Sequence, residues 1–152
     1  MNSITIEFED TSCKKSITVK EARDFINKVL NEIKTDNVEL SVSFIDIDRM
    51  HELNRTYRNI DAPTDILSFA AMEDVDGFSF VSAGRRKKNI GDILICPQVM
   101  RENAKTFNVS SEEELHRLLI HGVLHLTGED HKTNDATEPM LVKQEEILKK
   151  LT

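Results

Sequence analysis

Residues Ser111 to His131 read SEEELHRLLIHGVLHLTGEDH. Ser111-x-x-Glu114 has the form of a capping box, in which two side chains satisfy free N–H groups at a helix start. Leu115, Leu118, Leu119, Val123 and Leu126 then recur at helical spacing and make one buried face. Gly128 suits the stop, because glycine adopts the left-handed backbone that ends helices. A helix with so apolar a face must lie against other elements, and the rest of the chain has to supply them.

On the N-terminal side, Ile4, Ile6 and Phe8 alternate with polar residues, as do Val38, Leu40, Val42 and Phe44. That period of two predicts half-buried strands. Between them a second capping box, Thr18-x-x-Glu21, opens a helix with Val19, Ala22, Phe25, Ile26, Val29, Leu30 and Ile33 in register to about Lys34. Asp46 or Asp48 can cap a short helix whose apolar face is Met50, Leu53 and Tyr57. Arg58 to Asp65 reads as a loop holding Pro63. Asp65 to Ala71 reads as a buried strand, and Ile90 to Ile95 as a fourth one interrupted by Gly91-Asp92.

The stretch from Glu73 to Lys88 reads as an exposed excursion with the basic run Arg85-Arg86-Lys87-Lys88. Pro97 starts a helix to about Thr106, its missing N–H being no loss in a first turn. Thr137 and Pro139 begin a last helix with Met140, Leu141, Gln144, Ile147, Leu148 and Leu151 in register. The order predicts a single α+β domain over residues 1–152, a sheet covered by helices. Strand order and direction do not follow from the pattern.

The chain has 152 residues, 20 Lys+Arg against 27 Asp+Glu, and 39% hydrophobic residues. That composition excludes wholesale disorder. A net charge of −7 excludes a protein that grips nucleic acid by bulk positive charge, though not a local basic site. No apolar run nears the ~20 residues needed to span a bilayer, and Met1 to Asp10 show no basic-then-apolar leader. Two cysteines, Cys13 and Cys96, imply no disulfide framework, and the expectation is a cytoplasmic protein without a membrane partner.

Three of the five histidines fall at His121, His125 and His131. Four residues on a helix are ~6 Å of rise and ~40° of rotation, so His121 and His125 project from one face. Gly128 lets the chain turn back and bring His131 to the same point. Three imidazoles can share one ion at roughly 2.1 Å, leaving a position open, which is the catalytic rather than the structural pattern for zinc. The spacing is that of a longer zinc-protease signature, but Gly122 stands where the general-base Glu belongs, so a protease of that mechanism is disfavoured. A His-only site suits phosphodiester cleavage. Glu129 and Asp130 are candidates to orient a ring, Glu129 more simply a solvated acid. His51 and His116 read as surface residues.

Three blocks carry a family resemblance: Leu53 to Phe69 (LNRTYRNIDAPTDILSF), Gly91-Asp92-Ile93, and His121 to His131. In these the chain resembles the YbeY family of metal-dependent endoribonucleases, bacterial factors of rRNA maturation. The resemblance implies a small four-stranded mixed sheet with about five helices around it. It implies one Zn2+, or another divalent transition metal, at His121, His125 and His131, and a functional Arg58. It implies cleavage of single-stranded RNA, processing of the 3′ end of small-subunit rRNA and ribosome quality control, hence RNA and ribosomal partners. Two positions depart from the family pattern: Glu129 replaces the usual Tyr before Asp-His, and Ala70 replaces a Pro that often follows Ser-Phe.

From the residues themselves, Arg58 suits an anionic phosphodiester, because guanidinium offers a fork of donors to phosphate oxygens. Its bland alternative is an ion pair with Asp61 or Asp65. Asp65 could instead buttress the site, and Thr64 cap or turn the loop. Arg85 to Lys88 is either an RNA contact or a solvated loop tip. With no Trp and only Tyr57, an aromatic-rich RNA-stacking platform is not expected. Two other readings share these residues: a metallohydrolase acting on peptide or a small molecule, and a non-catalytic ribosome-associated module whose metal is closed by a fourth ligand such as Cys96.

Overall fold

A computed structural model describes residues 1–11, 17–71 and 87–152. The elements follow the order β1 (Ser3–Phe8), α1 (Val19–Glu32), β2 (Val38–Phe44), α2 (Ile47–Arg58), β3 (Ile66–Ala70), β4 (Lys88–Ile95), α3 (Pro97–Thr106), α4 (Ser111–Leu126) and α5 (Pro139–Leu151). One four-stranded sheet runs β1-β2-β4-β3. β1 lies parallel to β2 and β2 parallel to β4, while β3 is the antiparallel edge. The fold is therefore α+β with a mixed sheet, as the pattern and the resemblance anticipate. Arg85, Arg86 and most of the Glu73-to-Lys88 excursion lie outside the described residues, as does Cys13.

The alternating residues do what their period dictates. Leu40, Val42 and Phe44 of β2 and Ile93 and Ile95 of β4 point into one core with Ala22, Ile26, Val29 and Leu30 of α1. α4 crosses this face as the central helix, packed by α1, α3, α5, β3 and β4. That is why its burial exceeds the face expected of it: Ile120, Gly122 and Leu124 are buried as well. A smaller core of Ile45, Met50, Leu67 and Cys96 fixes α2 and the start of α3 to the other side of the sheet. Among the described residues no helix is long and apolar enough to cross a membrane.

Local signals fall close to expectation, with informative shifts. Thr18 and Glu21 form the reciprocal capping box of α1, and Asp46, not Asp48, caps α2 by accepting from Arg49 N–H. The cap of α4 sits one residue earlier than the sequence suggests. Ser110 accepts from Glu113 N–H, which frees Glu114 to turn inward, where it is 3% exposed. α5 begins at Pro139, and Thr137 instead bonds Asp135 in the turn before it. His116 is not a surface residue: it stacks on Phe25 with ring centres 4.2 Å apart.

The Gly91-Asp92 break is a β-bulge. Glu39 pairs with Asn89 and Leu40 with Gly91, leaving Ile90 as the extra residue. Gly91 has φ +130°, and a Cβ there would stand 2.1 Å from the Phe69 carbonyl oxygen. Only glycine fits both the backbone and the space. The bulge lies on the β2 side of β4; on the other side Gly91 pairs with Ala70 of β3, and its missing Cβ leaves room for the Phe69 carbonyl.

Candidate metal centre and substrate cleft

α4 positions two of the three histidines and the turn after it positions the third. His121 and His125 sit one helical turn apart, with Nε2 atoms 3.1 Å from each other. After Leu126 the helix ends. Thr127 turns its hydroxyl back to the Val123 and Leu124 carbonyls, and Gly128 takes φ +102°. The chain reverses and carries His131 beside the other two, with ring centres 5.2 Å from His121 and 5.4 Å from His125. One nitrogen from each of the three rings lies within 4.8 Å of the other two.

Two of the rings are held by a hydrogen-bond partner behind them. His121 Nδ1 bonds Gln144 Oε1 of α5 at 2.6 Å, and His131 Nδ1 bonds the Thr133 carbonyl at 2.7 Å. A carbonyl acceptor takes the Nδ1 proton, so Nε2 of both rings carries the lone pair. His125 Nδ1 lies 3.9 Å from the Asp130 carboxylate, which also accepts the His131 backbone N–H. Burial lowers the pKa of His121 and of His125, and the neighbouring rings lower both further. Burial dominates in each, outweighing the Gln144 hydrogen bond at His121 and the Asp130 carboxylate near His125, which favour the charged ring. Both rings are therefore neutral at pH 7, the form that binds a metal.

The donor set fits a divalent transition ion: three neutral imidazoles, lone pairs converging, two of the rings fixed from behind. Among the described residues no fourth His, Cys, Asp or Glu joins the group. Cys96 sits in the smaller core with Ile45, Met50 and Leu67 and is not part of it. Gly122 also has a structural reason to lack a carboxylate. It faces β4, where an added Cβ would meet three carbons of Ile93 at 2.7, 3.0 and 3.1 Å. A side chain there would point into the sheet and not toward the histidines.

Arg58 reaches the same place from the far side of the sheet edge. It is the last residue of α2, whose end is set by Asn59 in the left-handed conformation. Buried Asn54 donates to the Ala62 carbonyl at 2.8 Å and pins the following loop. Arg58 then donates Nη2 to the Ser68 carbonyl of β3 at 2.9 Å and lies 4.7 Å over the Phe69 ring. Neither anticipated ion pair forms. Asp61 pairs with His51 at 2.8 Å, and Asp65 accepts from Asn103 at 3.1 Å and ties the loop to α3. Among the described residues no carboxylate neutralises Arg58.

Arg58, Ile66, Leu67, Ser68, His121, His125, Gly128, Glu129 and Asp130 line one open cleft of about 460 Å³. Glu129 is a wall residue, whereas Asp130 is the acid beside a ring. Gln144 is a site residue that the spacing of the histidines does not reveal. Its signal was present: an amide in the otherwise apolar stripe of the last helix, buried to 6% exposure.

The cleft brings His121 and His125 of the imidazole cluster together with a guanidinium that has no carboxylate partner among the described residues, so groups able to hold a metal and an anion share one space. The sequence model of the Endoribonuclease YbeY family matches residues 4–152, and the chain belongs to that family. It is 42% identical over 147 residues to the Endoribonuclease YbeY of Treponema denticola, covering 97% of this chain and 92% of that protein. With the Sulfurihydrogenibium sp. Endoribonuclease YbeY it shares 36% identity over 139 residues, 91% of this chain and 86% of the relative. The solution structure of TM1509 from Thermotoga maritima superposes with a TM-score of 0.63 at 31% identity, covering 97% of this chain and 88% of that one.

Proposed function

We propose that this chain, acting as one domain over residues 1–152, is a metal-dependent endoribonuclease that cuts single-stranded RNA. His121, His125 and His131 hold one divalent ion, Zn2+ before others, and Arg58 is the catalytic cation. A bound ion supplies Lewis-acid charge at the phosphate being cut. Arg58 supplies the complementary charge. Its Nη2 donates to the Ser68 carbonyl at 2.9 Å, its Nη1 to the Tyr57 carbonyl at 3.4 Å, and its Cζ lies 4.7 Å over the Phe69 ring, so the guanidinium is held in place before substrate arrives. The observation that carries this reading is the shared cleft: an arginine without a carboxylate partner lines the same wall-to-wall space as His121 and His125.

Gln144 and Thr133 keep the His121 and His131 rings turned inward, and Asp130 lies beside His125. The nucleophile is either solvent or the RNA 2′-hydroxyl, and a 2′,3′-cyclic phosphate product would identify the latter. By family, the natural substrate is rRNA, with action at the 3′ end of the small-subunit RNA, ribosomal partners, ribosome quality control and a cytoplasmic location. A peptide-cleaving reading loses support because residue 122 faces Ile93. A closed structural metal loses it because no fourth ligand joins the group among the described residues.

The test is metal content and single-stranded RNA cleavage in wild type, His125→Ala and Arg58→Glu. About one ion per chain is expected in wild type. Arg58→Glu keeps the ion and loses cleavage by at least about 10²-fold, the scale of one lost transition-state donor. Cleavage that persists in His125→Ala overturns the assignment. Loss of the ion in Arg58→Glu would make Arg58 structural.

A further inference from the structure

Gln144 stands out among the residues that the cleavage reading does not use directly. It occupies the stripe of α5 that also holds Met140, Ile147 and Leu148, all buried in the core. An amide in that position is retained only if its donor and acceptor are both satisfied. They are, and by different partners. Oε1 accepts from His121 Nδ1 at 2.6 Å, and Nε2 donates to Glu145 Oε2 at 3.0 Å. Glu145 is itself clamped: Arg117 Nε donates to its Oε2 at 3.0 Å and Arg117 Nη2 to its Oε1 at 3.1 Å. The other end of Arg117 is fixed by buried Glu114 at 2.8 Å and by Glu113 at 3.1 Å.

The chain of contacts has a direction. A glutamine amide can turn over, exchanging oxygen and nitrogen at nearly the same positions. If Gln144 turned over, its oxygen would face a carboxylate and its N–H group would face His121 Nδ1. The first contact sets two acceptors against each other. The second forces the His121 proton onto Nε2, the atom that faces His125. Glu145, held by Arg117, allows only the orientation that leaves Nε2 with its lone pair.

We propose that Gln144 is a positioning residue that fixes the Nδ1–H tautomer of His121, and that Glu145, clamped by Arg117, locks the Gln144 amide in the required orientation. This rests on the proposed metal site, since the Nε2 lone pair is what an ion at His121 uses. The merely structural alternative is that Gln144 fills space between α4 and α5.

Ring-nitrogen NMR of the metal-free full chain above pH 7.5 reads the His121 tautomer directly. Competition with a chelator reads Zn2+ affinity on the same samples. Wild type is expected to show Nδ1–H. Gln144→Met, close in size and without a polar acceptor, is expected to show a tautomer mixture and to bind Zn2+ about 10–100-fold more weakly. Gln144→Glu combined with Glu145→Gln restores the acceptor at His121 and reverses the amide–carboxylate hydrogen bond beside it, and with them the Nδ1–H form and most of the affinity. Glu145→Ala, changed at a half-exposed side chain, gives a partial loss in both. Should Gln144→Met fail to fold, Gln144→Leu, which also lacks an acceptor, is read in its place. An Nδ1–H tautomer and an affinity unchanged in Gln144→Met, or in Gln144→Leu in its place, overturn the role of Gln144, and both unchanged in Glu145→Ala overturn the lock by Glu145. A wild type that takes up no Zn2+ overturns the metal site itself.

Discussion

Replacing Gly122 by Ala tests whether the α4–β4 contact sets the position of the histidines. In an exposed helix this change would stabilise by about 1 kcal/mol, because glycine loses more backbone entropy on folding. Here the new Cβ would lie 2.7, 3.0 and 3.1 Å from three carbons of Ile93. Carbon atoms prefer roughly 3.5–4.0 Å. Ile93 is fully buried and has neighbours on every side, so it cannot swing clear. Overpacking of this kind costs roughly 1–3 kcal/mol, and with several short contacts the upper half of that range applies. The net expectation is destabilisation by about 1.5 kcal/mol, a fall in Tm of roughly 3–6 °C for a chain of this length. Thermal unfolding with chelator present measures it free of metal linkage. Ile93→Val removes the carbon that makes the shortest contact, so the double variant is expected to recover at least about 0.5 kcal/mol of the combined single losses. Because α4 must move to relieve the clash and carries both His121 and His125, Zn2+ affinity should also fall. A Gly122→Ala protein as stable as wild type, with the same affinity, would refute the packing argument and with it the account of why residue 122 bears no carboxylate.

Three further expectations concern stability. Burial lowers the pKa of His116, so below its ordinary value of 6.5 the unfolded chain takes up a proton before the folded one does. Wild type should therefore lose stability between pH 7 and 5 relative to His116→Phe, which keeps the stack on Phe25; denaturant midpoints that track each other across this range would contradict it. Arg117→Met strands the buried Glu114 carboxylate and should cost about 3 kcal/mol or more at pH 7. Burial already raises the Glu114 pKa, and a carboxylate raised in the folded state costs stability only above its unfolded value. The Arg117→Met deficit should thus shrink as pH falls toward 4.5, and a deficit constant with pH would point to lost packing instead. Asp46→Ala removes the cap of α2 and should destabilise by about 1 kcal/mol in urea titrations, with a smaller effect expected of Asp48→Ala.

The residues by themselves determined the elements and the pairing of His121 with His125 on one helix face. The period of two in β1 and β2, the Thr18–Glu21 box, Pro97 and the four-residue step from His121 to His125 are local, and local backbone geometry allows few answers. The turn at Gly128 that returns His131 is also within reach of short-range reasoning. What only the tertiary structure decided lies between residues distant in the chain. Burial of α4 on several sides moved its cap to Ser110 and drew Glu114 inward to meet Arg117. β3 paired with β4 at the sheet edge, where the Ser68 carbonyl and Phe69 took Arg58 away from Asp61 and Asp65. Gln144 reached His121 across 23 residues because α5 packs on α4. Such pairings follow from which apolar faces meet once the core closes. The hydrophobic effect that drives that closure is non-directional, so the pattern along the chain cannot specify them one by one.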